Sequence, residues 1–171
     1  MTVSKIAIGS NHLRTATSTL SRRALLMLLG GGAAITLIAP PSRAADATKQ
    51  ITLYRDPGCG CCENYISYLR QNGFDVTVKS ASPDAISAMS RKAGIPSDLA
   101  GCHTAFIDGY VVDGLVPVAA VQKLLKDRPA LKGITLAGMP PGAPGMMGAK
   151  QGKLTVFAIP EHGKPTVFMT F

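Results

Sequence analysis

The sequence predicts an α/β fold, and three observations support this class. Short apolar runs alternate with segments of helical periodicity, which is typical of domains that pack helices against a sheet. Gly, Pro, Asn and Asp mark the boundaries between these segments. The elements over residues 51–128 follow the order βαβαββα, and a Gly/Pro/Met-rich loop and a C-terminal β-hairpin come after them.

The first half of the domain is predicted from apolar periodicity and helix-end signals. The first strand covers residues 51–54, and the first helix covers residues 63–71 before an Asn-Gly sequence that ends it. A second strand alternates apolar and polar residues over positions 74–78. Ser82 is an N-cap and Pro83 takes the first helical position, so the second helix begins there.

The second half begins with a hairpin, because an Asp-Gly pair at residues 108–109 separates two apolar runs. Pro117 opens the third helix. Residues 133–148 are predicted as a loop, and the alternating runs at residues 154–159 and 165–171 predict the terminal hairpin. The order as far as the third helix is that of a thioredoxin or glutaredoxin core, in which the active cysteines follow the first strand.

Residues 1–44 predict an export signal that is cleaved from the mature protein. They carry five Lys/Arg and no Asp/Glu, and the apolar run at residues 24–39 is too short and too rich in glycine to cross a bilayer well. A Ser-Arg-Ala sequence that ends at Ala44 resembles a small-x-small cleavage site. We therefore expect a linker over residues 45–50 and one domain over residues 51–171.

The pair Arg22-Arg23 just before the apolar run predicts the twin-arginine route, which exports folded proteins. An ordinary secretory signal and an uncleaved membrane anchor are the alternatives. Cleavage would leave 13 basic and 10 acidic residues, a net charge of +3. These charges are scattered, so the sequence does not support nucleic-acid binding. The predicted location is the periplasm, with no stable membrane anchor after cleavage.

Three of the four cysteines lie between the first strand and the first helix, where free backbone N–H groups and the helix dipole favour thiolates. Cys59 and Cys62 have the C-x-x-C spacing of thioredoxin-like redox enzymes, and Cys61 adds a third sulfur between them. In an alignment with the glutaredoxin pattern, His103 takes the position of the proline that faces the active cysteines. We therefore expect Cys102 and His103 to approach the other three cysteines in space.

Four thiolates with nearby thioethers form a soft donor set. Such a set selects Cu(I), with Zn(II) and iron–sulfur chemistry as alternatives. A closed zinc site usually has two separated ligand pairs, whereas three of these cysteines fall within four residues. Adjacent Cys61 and Cys62 would strain a site for one ion, but thiolates that bridge several Cu(I) ions would not be strained. The residues therefore favour metal binding over disulfide exchange.

Four segments of the sequence resemble a known family. They are the Tyr-Arg-Asp-Pro-Gly-Cys-Gly-Cys-Cys sequence at residues 54–62, Gly-Cys-His-Thr-Ala at 101–105, Asp-Gly-Tyr-Val-Val-Asp-Gly-Leu-Val-Pro at 108–117 and Gly-Met-Pro-Pro-Gly-Ala-Pro-Gly-Met at 138–146. Together they resemble the CopG-type periplasmic copper-resistance proteins, many of which are known only as a domain of unknown function. This resemblance covers residues 51–171 and implies a thioredoxin-like fold, a cysteine-bridged copper cluster and a role in copper tolerance.

The resemblance also implies which residues hold the metal. The cluster ligands would be Cys59, Cys61, Cys62 and Cys102. His103, Met139 and Met146 are candidates for supplementary ligands, while Met147 stands where a polar or acidic residue is expected. The implied cofactor is copper as Cu(I), in a multinuclear cluster bridged by cysteine, and the implied partners are copper ions and other periplasmic copper proteins.

The sequence therefore supports an exported copper-binding protein that buffers, transfers or redox-cycles copper. The competing hypothesis is an enzyme, a thiol–disulfide oxidoreductase that uses Cys59 and Cys62, and a structural zinc domain is the third. The sequence leaves open whether the chain is an enzyme. The loop over residues 138–148 is expected to cover the cluster, with Met139 or Met146 supplying a further sulfur or an apolar lid.

Overall fold

The structure is a computed structural model and describes residues 50–171. The predicted export signal and all but the last residue of the predicted linker lie outside these residues. Within the described range, seven strands form one mixed sheet, and three α-helices pack on it. None of the helices in this range is long and apolar enough to cross a membrane.

The elements have the following bounds. The strands are β1 (Gln50–Arg55), β2 (Asp75–Ser80), β3 (His103–Ile107), β4 (Tyr110–Asp113), β5 (Leu131–Leu136), β6 (Thr155–Pro160) and β7 (Thr166–Thr170). The helices are α1 (Gly60–Gln71), α2 (Pro83–Lys92) and α3 (Val118–Asp127). A single 3-10 turn at Ser97–Leu99 links α2 to β3.

The strands are ordered β2-β1-β3-β4-β5-β6-β7 across the sheet. The β1–β2 and β4–β5 pairs are parallel, and the other neighbouring pairs are antiparallel. From β1 to α3 the elements occur in the predicted order βαβαββα. The C-terminal hairpin is formed by β6 and β7.

The helices lie on both faces of the sheet, as two neighbouring residues of β3 show. The ring of His103 packs against Tyr65 of α1 in a tilted arrangement, at 4.8 Å between ring centroids. The hydroxyl of Thr104 lies 2.9 Å from the hydroxyl of Ser90 in α2. Because successive side chains of a strand point to opposite faces, α1 and α2 cover opposite faces.

Helix α3 lies beside α1. The Tyr68 hydroxyl of α1 accepts a hydrogen bond from the first N–H of α3, at Val118.

The main core lies on the face that α1 and α3 cover. Apolar residues alternate along β1 and recur at helical spacing in both helices, so each element presents one buried stripe. Leu53 of β1, Ile66 of α1 and Leu124 of α3 are fully or almost fully buried there. This core fixes the end of β1 and the start of α1, which carry three of the cysteines.

The sequence-based prediction placed residues 133–136 in the loop, but the structure places them in β5. In the sequence alone, a glycine at this position indicates a turn. In the structure, Gly133 allows β5 to approach β4 closely. A Cβ atom at Gly133 would lie 2.0 Å from the carbonyl oxygen of Val111 in β4. A glycine inside a strand often marks such an approach.

Candidate metal centre

The turn between β1 and α1 is held by its own polar groups. The carboxylate of Asp56 accepts a hydrogen bond from the N–H of Gly58 at 2.8 Å, and its backbone carbonyl accepts from the N–H of Cys59 at 3.0 Å. The guanidinium of Arg55 donates to the same backbone carbonyl at 3.1 Å and pairs with the Glu63 carboxylate of α1. These contacts fix the direction in which the first cysteine leaves the strand.

Helix α1 begins at Gly60, three residues before the predicted start, so two cysteines lie inside its first turn. Cys59 is the N-cap residue, and its side chain makes no capping hydrogen bond. Cys61 and Cys62 follow in the first turn, where backbone N–H groups lack partners within the helix. Cys62 is fully buried, whereas Cys59 and Cys61 are half-buried.

The fourth cysteine, Cys102, directly precedes β3 and is positioned by a buried carboxylate. The N–H of Gly101 donates to Oδ1 of Asp113 at 2.5 Å. The Oδ2 atom of Asp113 accepts hydrogen bonds from the hydroxyls of Ser90 at 2.6 Å and Thr104 at 2.8 Å. The carboxylate of β4 thus ties α2 and β3 to the residue beside Cys102, a role that the sequence analysis missed.

Two glycines allow the segment before Cys102 to lie against the end of β4. A Cβ atom at Gly101 would lie 2.2 Å from the Cα atom of Gly114, which no side chain can accept. The N–H of Gly114 donates to the carbonyl of His103 at 3.1 Å. The position of Cys102 is therefore set by backbone packing as well as by the buried carboxylate.

The structure brings the four predicted cysteines together. Their Sγ atoms all lie within 4.8 Å of one another, although Cys62 and Cys102 are forty residues apart. The Sγ atom of Cys61 lies 3.4 Å from that of Cys59 and 3.5 Å from that of Cys102. The Sγ atom of Cys62 also lies 3.5 Å from that of Cys102. The arrangement is a compact group of sulfurs that could hold a metal ion.

Two of these sulfurs are joined in the structure. Cys59 and Cys62 form a disulfide, and Cys61 and Cys102 are free thiols. A disulfide offers no thiolate, so use of all four cysteines as ligands requires reduction of this bond by two electrons with uptake of two protons. The site therefore has two chemical forms, an oxidised one with two thiols and a reduced one with four.

Burial controls the protonation of Cys102 and of its neighbour His103. Desolvation raises the pKa of the Cys102 thiol to about 12, and the hydrogen bond with Cys61 adds to this effect. A metal ion must therefore displace a proton from Cys102 when it binds. Burial lowers the pKa of His103 to about 4, so the imidazole is neutral at pH 7.

His103 lies beside the cluster, as the sequence predicts. Its Nδ1 atom lies 3.5 Å from Sγ of Cys102. Its Nε2 atom is buried and has no hydrogen-bond partner within the part of the chain that the structure describes. The ring also packs at a tilt against Tyr65, whose pKa is raised by burial. His103 thus forms part of the cluster's buried wall.

The three methionines of this loop differ in exposure, and the sulfur of Met139 contacts the cluster. The Sδ atom of Met139 lies 3.5 Å from Sγ of Cys61, and the side chain of Met139 is 49% exposed. Met146 is half-buried and packs against the core. Met147 is 86% exposed. Of the two thioethers proposed as supplementary ligands, Met139 is the one whose sulfur contacts a cysteine sulfur.

The loop that carries these methionines lies against α1. Asn64 of α1 donates a hydrogen bond from Nδ2 to the carbonyl of Gly145 at 3.2 Å. A Cβ atom at Gly145 would lie 2.6 Å from the carbonyl oxygen of Cys61, so only glycine allows this close contact. The loop therefore reaches the first turn of α1, which carries Cys61.

A cavity of about 420 Å³ opens beside the sulfurs. Three of the cysteines and one methionine line it, and the first turns of α2 form the facing wall. The lining residues that bear on the site are Cys59, Cys61, Cys102, Met139, Pro83 and Ile86. The thiols and the thioether thus face a space that an ion can enter from outside.

Comparison with known proteins places the chain in a family. Two solved structures named copper resistance protein CopG, form 1 and form 2, are each 38% identical to it in sequence. The form 2 match covers 71% of this chain and 97% of the other with a TM-score of 0.64, and the form 1 match covers 72% and 98% with a TM-score of 0.65. No curated protein matches the chain significantly. The model of the family described as "Protein of unknown function, DUF411" matches residues 99–146. The chain therefore belongs to the family of the copper resistance protein CopG.

Proposed function

We propose that this chain binds copper through Cys59, Cys61, Cys62 and Cys102 and serves copper tolerance or copper handling. The observation that carries this proposal is the convergence of four sulfurs, from two distant segments, within 4.8 Å of one another. The names of the similar solved structures support copper as the metal. Thiolate sulfur is also the donor that favours soft metal ions.

The bound form would be Cu(I), in a cluster in which cysteines bridge several ions. Each of the sulfurs has a neighbouring sulfur 3.4–3.5 Å away or a disulfide partner, so one thiolate can serve two ions once the disulfide is reduced. Adjacent Cys61 and Cys62 can then bind different ions. Copper would be the substrate or cargo of the chain.

We further propose that β1 to α3 form a thioredoxin-like core. The strand order β2-β1-β3-β4, with β3 antiparallel to both of its neighbours, supports this proposal. So does the position of Cys59 directly after β1 and at the N-terminus of α1. In this proposal the cysteines occupy the position that the redox site has in thioredoxin-like proteins. Cys102 and His103 adapt this site for metal binding.

The proposal also includes export to the periplasm, because the predicted signal at residues 1–44 combines a basic start, an apolar run and a small-x-small site. Mass spectrometry of exported protein should show Ala45 as the first residue. Replacement of Arg22 and Arg23 by lysine should block export by the twin-arginine route. Continued export of that variant would contradict the route, and an uncleaved N-terminus would contradict the signal.

The copper proposal is tested with Cys102→Ser. Reduced wild-type protein should bind several Cu(I) ions per chain, and the variant should bind fewer, because a bridging thiolate serves more than one ion. Metal content is measured by mass spectrometry on protein purified without oxygen, with thiol titration alongside. Met147→Leu, at an exposed position, is the matched control and should bind as much copper as wild type. Full copper loading of Cys102→Ser, or a preference for zinc, would contradict the proposal.

A second candidate function is thiol–disulfide exchange, and the Cys59–Cys62 disulfide favours it. In that reaction the Cys59 thiolate attacks a substrate disulfide, and the Cys62 thiolate then displaces the substrate thiol and forms the bond observed here. This chemistry does not need Cys102. Rapid reduction of a protein disulfide by both wild type and Cys102→Ser, with unchanged copper loading, would establish the enzyme in place of the copper protein.

A further inference from the structure

We propose that the oxidised form of the chain, with the Cys59–Cys62 disulfide in place, keeps a separate site for one Cu(I) ion. The ligands of this site are the sulfurs of Cys61, Cys102 and Met139. The inference rests on the proposed function, since it requires copper to be the metal that the cluster binds. It adds that oxidation reduces the copper capacity of the chain without abolishing it.

The geometry of the three sulfurs supports this site. The Sγ atom of Cys61 lies 3.5 Å from Sγ of Cys102 and 3.5 Å from Sδ of Met139. Three sulfurs arranged around one ion at about 2.3 Å, a usual metal–thiolate distance, would lie about 4 Å apart. The two sulfur–sulfur distances to Cys61 therefore need to open by only about half an ångström.

Cys61, Cys102 and Met139 also supply enough donor atoms for one Cu(I) ion without the other two cysteines. The disulfide removes the thiols of Cys59 and Cys62, whereas Cys61 and Cys102 stay free beside it. Two thiolates and one neutral thioether form a soft set with few ligands. Such a set suits Cu(I) and falls one ligand short of the closed tetrahedral sites that structural zinc prefers.

The site is open on one side and closed on the other. The same cavity is lined by Cys61, Cys102 and Met139, and the side chain of Met139 is 49% exposed, so an ion reaches the thiols past the thioether. Fully buried His103 and Cys62 close the inner side. The redox state of the Cys59–Cys62 pair therefore determines whether the chain offers a four-cysteine cluster or a single three-sulfur site.

The test compares the two redox forms of the same protein. Diamide oxidises Cys59 and Cys62 by taking up two electrons and two protons and becoming the hydrazine. After its removal, titration of the unfolded product should detect two thiols. Cu(I) is then added without oxygen in competition with bicinchoninate. The oxidised protein should bind one Cu(I) per chain, and the reduced protein should bind more.

Variants identify the ligands of the oxidised site. Cys61→Ser and Cys102→Ser should abolish Cu(I) binding by the oxidised form. Met139→Leu keeps the apolar volume and should weaken it by roughly tenfold, because a weak neutral ligand is lost. Met147→Leu removes an exposed thioether from the same loop and should leave the affinity unchanged.

Each outcome separates this inference from the proposed function. If the reduced form binds Cu(I) and the oxidised form with two thiols does not, the inference is wrong and the cluster remains. If neither form binds Cu(I), the proposed function itself fails. An oxidised product without free thiols would mean that Cys61 and Cys102 have paired, which overturns the separate site. Equal affinities of Met139→Leu and wild type would exclude the thioether as a ligand.

Discussion

Two distant segments bring sulfur to the cysteines of α1, and they are held in different ways. The segment before β3 carries Cys102 and is tied to a buried carboxylate through the N–H of Gly101. The loop over residues 138–148 carries Met139 and contacts α1 at Gly145, where one hydrogen bond from Asn64 reaches it. The thiol is thus held through a buried carboxylate. The loop with the thioether is held by Asn64, by a hydrogen bond from the N–H of Gly138 to the carbonyl of Ala100, and by buried Ala143, which packs in the core.

Because of this difference, the thiol and the thioether should respond differently to substitution of the residues that hold them. Asp113 is fully buried and accepts hydrogen bonds from three groups, so a change there affects the folding of the domain and the cluster together. Gly145 contacts α1 near the surface, since its partner Asn64 is exposed and Met139 is half exposed, so a change there should affect the site more than the fold. Variants of Asp113 and of Gly145 should therefore separate an effect on the stability of the fold from an effect on the metal site.

The largest effect is expected for Asp113→Ala. The change leaves the N–H of Gly101 and the hydroxyls of Ser90 and Thr104 without their common acceptor in a buried site. Each buried unsatisfied group costs about 1–3 kcal/mol. The N–H of Gly101 loses its acceptor, whereas Ser90 can still donate to the carbonyl of Ile86 and pair with Thr104. We therefore expect the free energy of unfolding of the reduced, metal-free protein to fall by about 1–3 kcal/mol, measured by denaturant titration. A loss below about 1 kcal/mol would show that the carboxylate does not anchor this segment.

Asp113→Asn is the matched control, since its amide keeps the size of the side chain and can still accept from Gly101. It also gives a pH test. Burial raises the pKa of Asp113, and the hydrogen bonds from Ser90, Gly101 and Thr104 oppose this only in part. The folded state thus holds the proton more tightly than the unfolded state, whose pKa is about 3.8.

The sign of the pH dependence follows from this shift. The stability of the wild type relative to Asp113→Asn should be greatest below pH 3.8 and should decline as the pH rises through the folded pKa of Asp113. Unfolding titrations of both proteins across this range provide the measurement. A relative stability that increases with pH would mean that the three donors outweigh the burial of the carboxylate.

The cysteine segment could be predicted from the sequence because its signals are local. The C-x-C-C spacing and the Asp-Pro-Gly turn lie within residues 56–62, and the predicted helix begins directly after them. The approach of Cys102 was predicted from the alignment of one strand pattern. The role of Asp113 was not predictable in this way, because its partners Ser90 and Thr104 belong to other elements. In the printed sequence it is only a polar residue after an apolar run.

The loop shows a second limit of sequence reasoning. Its composition predicted a shaped segment near the cluster, but Met139 and Met146 had equal standing as sulfur donors. The structure distinguishes them, because the Met139 sulfur contacts Sγ of Cys61, whereas Met146 packs against the core. Similarly, the sequence predicts a loop at Gly133, because the contact of Gly133 with β4 forms only in the assembled sheet.

The smallest effect on global stability is expected for Gly145→Ala. Its Cβ atom would lie 2.6 Å from the carbonyl oxygen of Cys61 and 2.9 Å from the N–H nitrogen of Tyr65. These are backbone atoms of α1 and cannot yield, so the loop should lift from the helix while the core stays folded. Hydrogen exchange over residues 138–148 should become faster, with little change in the unfolding midpoint.

Gly148→Ala is the control for backbone strain in that experiment. Gly148 has a φ of +94°, close to the +91° of Gly145, but a Cβ atom there would meet no atom within 4 Å. Both variants force alanine into a conformation that L-residues rarely adopt, and only Gly145→Ala adds a clash with α1. Faster exchange in Gly145→Ala alone would show that the contact with α1 orders the loop that carries Met139. Equal exchange in the two variants would attribute the order of the loop to its backbone conformation, and the thioether would then not depend on α1 for its position.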